Sequence, residues 1–190
     1  MKIYEVYPEY DKYDICIVDM EACKTVCSFD DHDAMFHFDG SPRLKNWWPR
    51  VMVRSKNKMA LGDYISCLEG GVIILEETAI GKLESMMGSK EILPLECDFG
   101  DYKAVNVMDV LDCIDYKKSK YLLLSEELVD GRPKIMYFEK YAFIEEKLEG
   151  YNIFKIVDDK ESSIFVNEAF VDCVRLHGIT GFKFELVWQS

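Results

Sequence analysis

Apolar and polar side chains alternate from the start of the chain. Lys2-Ile3-Tyr4-Glu5-Val6-Tyr7 has the two-residue period of a half-buried strand, and Pro8 halts it. Tyr13 to Val18 predicts a second strand. From Met20 to Lys58 the periodicity fades into turn formers and the acidic run Asp30-Asp31-His32-Asp33, which predicts an irregular region. After Asp63 the pattern sharpens. Val72 to Leu75 reads as a short buried strand, and Ile80, Leu83, Met86 and Met87 share helical spacing within Glu76 to Met87. Glu91 to Cys97 and Tyr102 to Met108 read as strands joined by the turn formers Asp98-Phe99-Gly100-Asp101.

Asp109 to Lys120 predicts a loop with apolar anchors. Further strands are expected at Tyr121 to Leu124, Ile135 to Phe138, Tyr141 to Ile144, Asn152 to Val157 and Ile164 to Val166. Asn167 is placed to cap a helix running to about Leu176, with Phe170, Val171 and Val174 on its apolar face and Gly178 at its end. Phe182-Lys183-Phe184-Glu185-Leu186 closes the pattern with Phe182, Phe184 and Leu186 on one face. Many strands and few helices, without βαβ alternation, predict an α+β fold with a mixed, mostly antiparallel sheet. Residues 1–60 are expected to form an irregular N-terminal lobe with strands, and residues 61–190 the main domain.

Composition narrows the functional classes. The 190 residues are 49% hydrophobic, enough for a core that needs no metal or disulfide, and the net charge is −12. Such a surface repels nucleic-acid phosphate and anionic lipid and steers cationic partners inward. Cys16, Cys23, Cys27, Cys67, Cys97, Cys113 and Cys173 are odd in number and scattered, which argues for reduced thiols and against a disulfide framework. With no secretory leader and no apolar run of spanning length in this sequence, the expectation is a cytoplasmic protein without a membrane partner.

Candidate chemistry is sparse. His32 and His37 stand five apart, off the i, i+4 spacing that would share a helix face, so the surrounding acidic run reads as a solvated loop and no metal is expected. Cys23 and Cys27 lack a second ligand pair. His177 suits a helix C-terminus, where its charge complements the dipole. No nucleophile elbow, zincin helix, phosphate loop or dinucleotide fingerprint occurs, so no catalytic residue and no cofactor is assigned. A carboxylate-dependent hydrolase built on Asp109, Asp112 and Asp115 stays open, because such pairs leave no short signature. Pro42 to Lys58 carries Arg43, Lys45, Arg50, Arg54, Lys56 and Lys58 around Trp47 and Trp48. Interleaved cations and aromatics can bind single-stranded nucleic acid. The acidic remainder of the chain opposes that partner.

Five pieces of the second half carry a resemblance. They are Ile92-Leu93-Pro94-Leu95, Tyr102-Lys103-Ala104-Val105-Asn106-Val107 leading to Asp112-Cys113-Ile114-Asp115 and Ser119, Asn152-Ile153-Phe154-Lys155-Ile156, Ile164-Phe165-Val166, and Gly178-Ile179-Thr180-Gly181-Phe182-Lys183-Phe184. In that order they resemble the immunity proteins of bacterial polymorphic toxin systems, the group numbered eleven, over roughly residues 61–188. The resemblance implies a cytoplasmic antidote that occludes a cognate toxin domain. Read as chemistry, Tyr102, Asn106, Asp112, Ser119, Gly178, Gly181 and Phe182 look architectural. The expected partner is a toxin with a basic surface, and Asp30, Asp31, Asp33, Trp47 and Trp48 are the candidate contacts, since charges and aromatic anchors dominate interfaces.

Overall fold

The run Val72-Ile73-Ile74-Leu75 is buried along its whole length, as a strand covered on both faces must be. A computed structural model describes residues 1–19, 21, 38–42, 51–68, 70–129 and 131–190. Along the chain come β1 (Lys2–Pro8), β2 (Cys16–Val18), β3 (Met52–Ser55), β4 (Tyr64–Ile65) and β5 (Val72–Glu76). Helix α1 (Glu77–Leu83) follows, then β6 (Lys90–Pro94), β7 (Glu96–Cys97), β8 (Tyr102–Val107) and β9 (Val110–Leu111). β10 (Lys120–Val129), β11 (Arg132–Lys140), β12 (Ile153–Ile156), β13 (Phe165–Asn167), α2 (Glu168–Leu176) and β14 (Phe182–Gln189) complete the order. The fold is α+β with mostly antiparallel sheets, as the periodicity predicts.

Two sheets face each other across the helices. One is ordered β4-β5-β8-β6 and the other β14-β1-β13-β12-β9. Strand alternation divides the interior. Ile73 and Leu75 of β5 and Val105 and Val107 of β8 pack with Val6, Val166 and the apolar stripes of both helices. Val72, Ile74 and Ala104 point the other way, toward Val53, Val51, Phe38 and Leu95 beneath the small sheet β2-β3-β7. The outer face of the five-stranded sheet carries a third cluster, Ile3, Phe154, Ile156 and Phe165, closed over by Cys113, Ile114, Phe143 and Leu148. The small sheet draws β2 and β3 from the first sixty residues and β7 from beyond them.

Local chemistry explains the element ends. Asn167 Oδ1 accepts from Phe170 N at 3.0 Å at the start of α2, a cap worth about 1 kcal/mol. At the other end Ile179 N reaches Val174 O at 3.0 Å and Gly178 N reaches Arg175 O at 3.1 Å. This is the paired closure that needs a left-handed residue after the helix, and Gly178 supplies φ +61°. β14 runs three residues beyond the predicted alternation, to Gln189. Between Ile3 and Tyr4 the pairing jumps from Trp188 to Leu186. The extra residue turns Trp188 onto the outer cluster with Val187. Leu186 shares the side of Phe182 and Phe184 yet is 49% exposed, beyond the covered part of that face. Tyr141 to Ile144, expected as a strand, forms a single antiparallel bridge from Phe143 to Ile114.

Asp14, just before β2, ties the end of β3 to the segment that follows it. It accepts from Asn57 N at 3.0 Å, Asn57 Nδ2 at 2.9 Å, Met59 N at 3.2 Å and the Ser55 hydroxyl. Burial alone would raise its pKa, but these donors prevail and hold it at about 2. A depressed folded-state pKa gives stability that is complete above about pH 4, the unfolded value, and is lost as the pH falls through about 2. Asp14→Asn should therefore be less stable at neutral pH, with a shallower fall between pH 4 and pH 2. Urea midpoints measured against pH test this; parallel curves for the two proteins would refute it.

Candidate partner-binding surface

The hairpin β10–β11 departs from the rest of the fold in what it leaves uncovered. Its base is anchored: Tyr121, Phe138 and Tyr141 form an aromatic chain, with Phe138 and Tyr141 stacked at 4.7 Å and Tyr141 meeting Phe165 edge-on at 5.2 Å. Farther out, Leu122, Leu124, Leu128, Met136 and Tyr137 are between 46% and 67% exposed. A buried strand would explain such a leucine run, but here it lies on a two-stranded arm. Among the described residues β10 and β11 pair only with each other, so both outer edges lack a ladder partner. Repeated register shifts twist the arm between Lys120 and Leu128.

β11 forms one wall of a groove of about 600 Å³, and β1 and β14 form the opposite wall. Carboxylates from four segments meet there: Glu5 of β1, Glu139 of β11, Asp158 and Asp159 of the turn before β13, and Glu185 of β14. Among the described residues none of the five is ion-paired, and Lys140 is the one cation in the lining. Ser163 Oγ lies 2.7 Å from both Glu5 Oε1 and Asp159 Oδ2, bridging two like charges. Tyr116 donates to Asp158 Oδ1 at 2.8 Å, while Asp158 Oδ2 is buried without a protein partner. Burial pushes the Tyr7 and Tyr141 hydroxyls upward, and Glu5 pushes both further. Burial also raises Asp158. The groove is thus a concave, negatively charged face beside an uncovered apolar strand, suited to a cationic chain.

Asp30, Asp31, Asp33, Trp47 and Trp48 lie outside the described residues, as do His32, His37, Cys23 and Cys27. The three carboxylates of the hydrolase reading do not converge on a cavity. Asp109 accepts from Ser89 N at 2.8 Å, Asp112 pairs with Arg132 and Lys147 at 3.5 and 3.8 Å, and Asp115 pairs with Lys118 at 3.0 Å. Each is engaged in a separate local tie. No group of three or more His, Cys, Asp or Glu side chains among the described residues is arranged to hold a metal ion. Cys16, Cys97, Cys113 and Cys173 are free thiols, and burial raises Cys16 and Cys113 to about 12, far from a reactive thiolate. No helix among the described residues is long and apolar enough to cross a membrane.

The motif residues hold the architecture. Tyr102 OH donates to Gly62 O at 2.8 Å and Asn106 Nδ2 to Ser41 O at 2.8 Å, both from β8. Ser119 Oγ accepts from Ala142 N at 3.0 Å, closing the base of the arm. Gly178 and Gly181 frame the turn into β14, and Phe182 packs on Tyr64 at 4.7 Å. Nothing in sequence alone marked the groove, because its walls are distant in the chain.

No curated protein matches the chain. The resemblance drawn from the motifs begins near residue 61, whereas the family match begins at residue 99, so Ile92-Leu93-Pro94-Leu95 falls outside it. The match does span the arm, the turn at Asp158 and β14, and so takes in most of the groove. Residues 99–188 match the model of the Immunity protein family (Imm11), the same family that the motifs of the second half resemble.

Proposed function

We propose that this protein is a cytoplasmic immunity protein that neutralises a cognate toxin domain by binding and occluding it, without chemistry of its own. The observation that carries the reading is the Immunity protein family match over residues 99–188. The geometry supports it. The carboxylates of the hydrolase alternative are held apart, Asp109 by a backbone N–H and Asp112 and Asp115 by separate ion pairs, and the unneutralised acid gathers on a surface groove beside exposed apolar side chains. A binder uses such a surface well: long-range attraction raises the association rate, and apolar contacts hold the complex. The toxin this predicts has a basic face, and its cleft would be blocked by an acidic one.

The test is co-expression with the toxin encoded beside this gene. Cells carrying the pair should grow, while cells with the toxin and an empty vector should not. Equal killing in both strains would reject the reading.

A further inference from the structure

Resting on that immunity reading, we infer that the toxin is held by an extended, lysine- and arginine-bearing segment that lies in the groove along β11, between the arm and the five-stranded sheet. Three features of the surface converge on this occupant. β11 lacks a ladder partner on its outer edge among the described residues, so an incoming strand can satisfy backbone groups by adding to it. Among the described residues the lining brings together Glu5, Glu139, Asp158, Asp159 and Glu185 against one cation, Lys140. Such mutual repulsion is relieved most strongly by cations. Met136 and Tyr137 line the same groove and are 61% and 49% exposed, giving apolar anchors beside the charges.

A second copy of this chain would meet the same edge but not the same charge. Two grooves brought together would oppose acid with acid, within a chain of net charge −12. The toxin segment, by contrast, alternates naturally. In an added strand, side chains on one face would meet the carboxylates while those on the other stay clear. The fit also predicts how binding responds to salt, since charge pairs at a partly open groove are screened.

The experiment measures binding of the full chain to the purified toxin domain, with an inactive toxin variant for safety. Glu139→Lys with Glu185→Lys reverses charge in the groove, and Glu146→Lys with Glu149→Lys reverses the same charge on an exposed segment outside it. The groove pair should weaken affinity at least tenfold, mostly through the association rate, and flatten the salt dependence. The outside pair should stay within about twofold of the native protein. Met136→Ala with Tyr137→Ala should raise the dissociation rate at unchanged salt dependence. Hydrogen exchange on the native complex gives a readout free of any folding defect: protection should appear at residues 135–141, 158–163 and 185–187. Native-like binding by the groove pair, protection confined to other segments, or a stable dimer whose interface is this groove would each overturn the proposal while leaving immunity intact. A native protein that neither binds nor protects would instead remove the immunity reading beneath it.

Discussion

Phe165→Ala should lower the free energy of unfolding by about 3–5 kcal/mol, the range for truncating a fully buried phenylalanine. The site is chosen because every route to relaxation is blocked. Phe165 has no exposed surface and sits in β13, between β1 and β12 of the five-stranded sheet. Its ring stacks on Phe154 at 5.8 Å and receives Tyr141 and Phe143 edge-on at 5.2 and 5.7 Å. Truncation leaves a cavity walled by other large rings, which cannot collapse into it without leaving their own rotamers. For a domain of this size each kcal/mol shifts Tm by about 2–4 °C, so a fall of about 10 °C is expected. Phe165→Leu refills much of the volume and should cost less than half as much. Urea and thermal unfolding of both variants decide the matter; a loss under about 1 kcal/mol for the alanine would mean that the cluster is not the tight unit described. The same substitution should loosen the base of the arm, because Tyr141 links Phe165 to Phe138 and so to the groove wall.

What the sequence made legible follows from how local the relevant physics is. The helix from Asn167 and the closing strand could be read because cap, stripe and stop are all within a dozen residues. Leu122-Leu123-Leu124 was read as a strand correctly. Its length, and its exposure on an arm, depend on the register shifts with β11 and on the lack of a third paired strand among the described residues, which no short window contains. The groove was illegible for the same reason. Glu5, Glu139, Asp159 and Glu185 are brought together by antiparallel pairing across most of the chain. The contact candidates legible in the sequence therefore fall where acid and tryptophan are dense along the chain, at Asp30, Asp31, Asp33, Trp47 and Trp48. The structure shows a second acidic concentration that exists only in space. Asp112, one of the motif residues that look architectural, meets Arg132 and Lys147 through its carboxylate, a tie between the arm and the loop beneath it.

Gly181→Ala should destabilise the protein by about 3–5 kcal/mol, and comparison with Gly150→Ala separates the two causes. Both glycines have positive φ, +88° and +85°, so an alanine at either carries the left-handed penalty of about 1–2 kcal/mol. At Gly150 nothing lies within 4 Å of the new Cβ, whereas at Gly181 it would stand 2.1 Å from Tyr64 O and 3.0 Å from Tyr64 C. Neither strand can retreat. Tyr64 N donates to Thr180 O at 3.0 Å, Glu9 N donates to Gly181 O at 2.9 Å, and Asp63 Oδ2 accepts from both Thr180 N and its hydroxyl at 2.7 Å. Relief of the clash must break one of these ties or displace Phe182 from Tyr64, opening the contact between β4 and the start of β14. The motif Gly178-Ile179-Thr180-Gly181 is then a clasp: the first glycine ends α2, and the second lets the chain press against β4. Equal losses for Gly150→Ala and Gly181→Ala in urea unfolding would show that backbone conformation alone governs both sites and that no clasp exists. A loss at Gly181 larger by 2 kcal/mol or more, with earlier hydrogen exchange at residues 63–65, is the expected result.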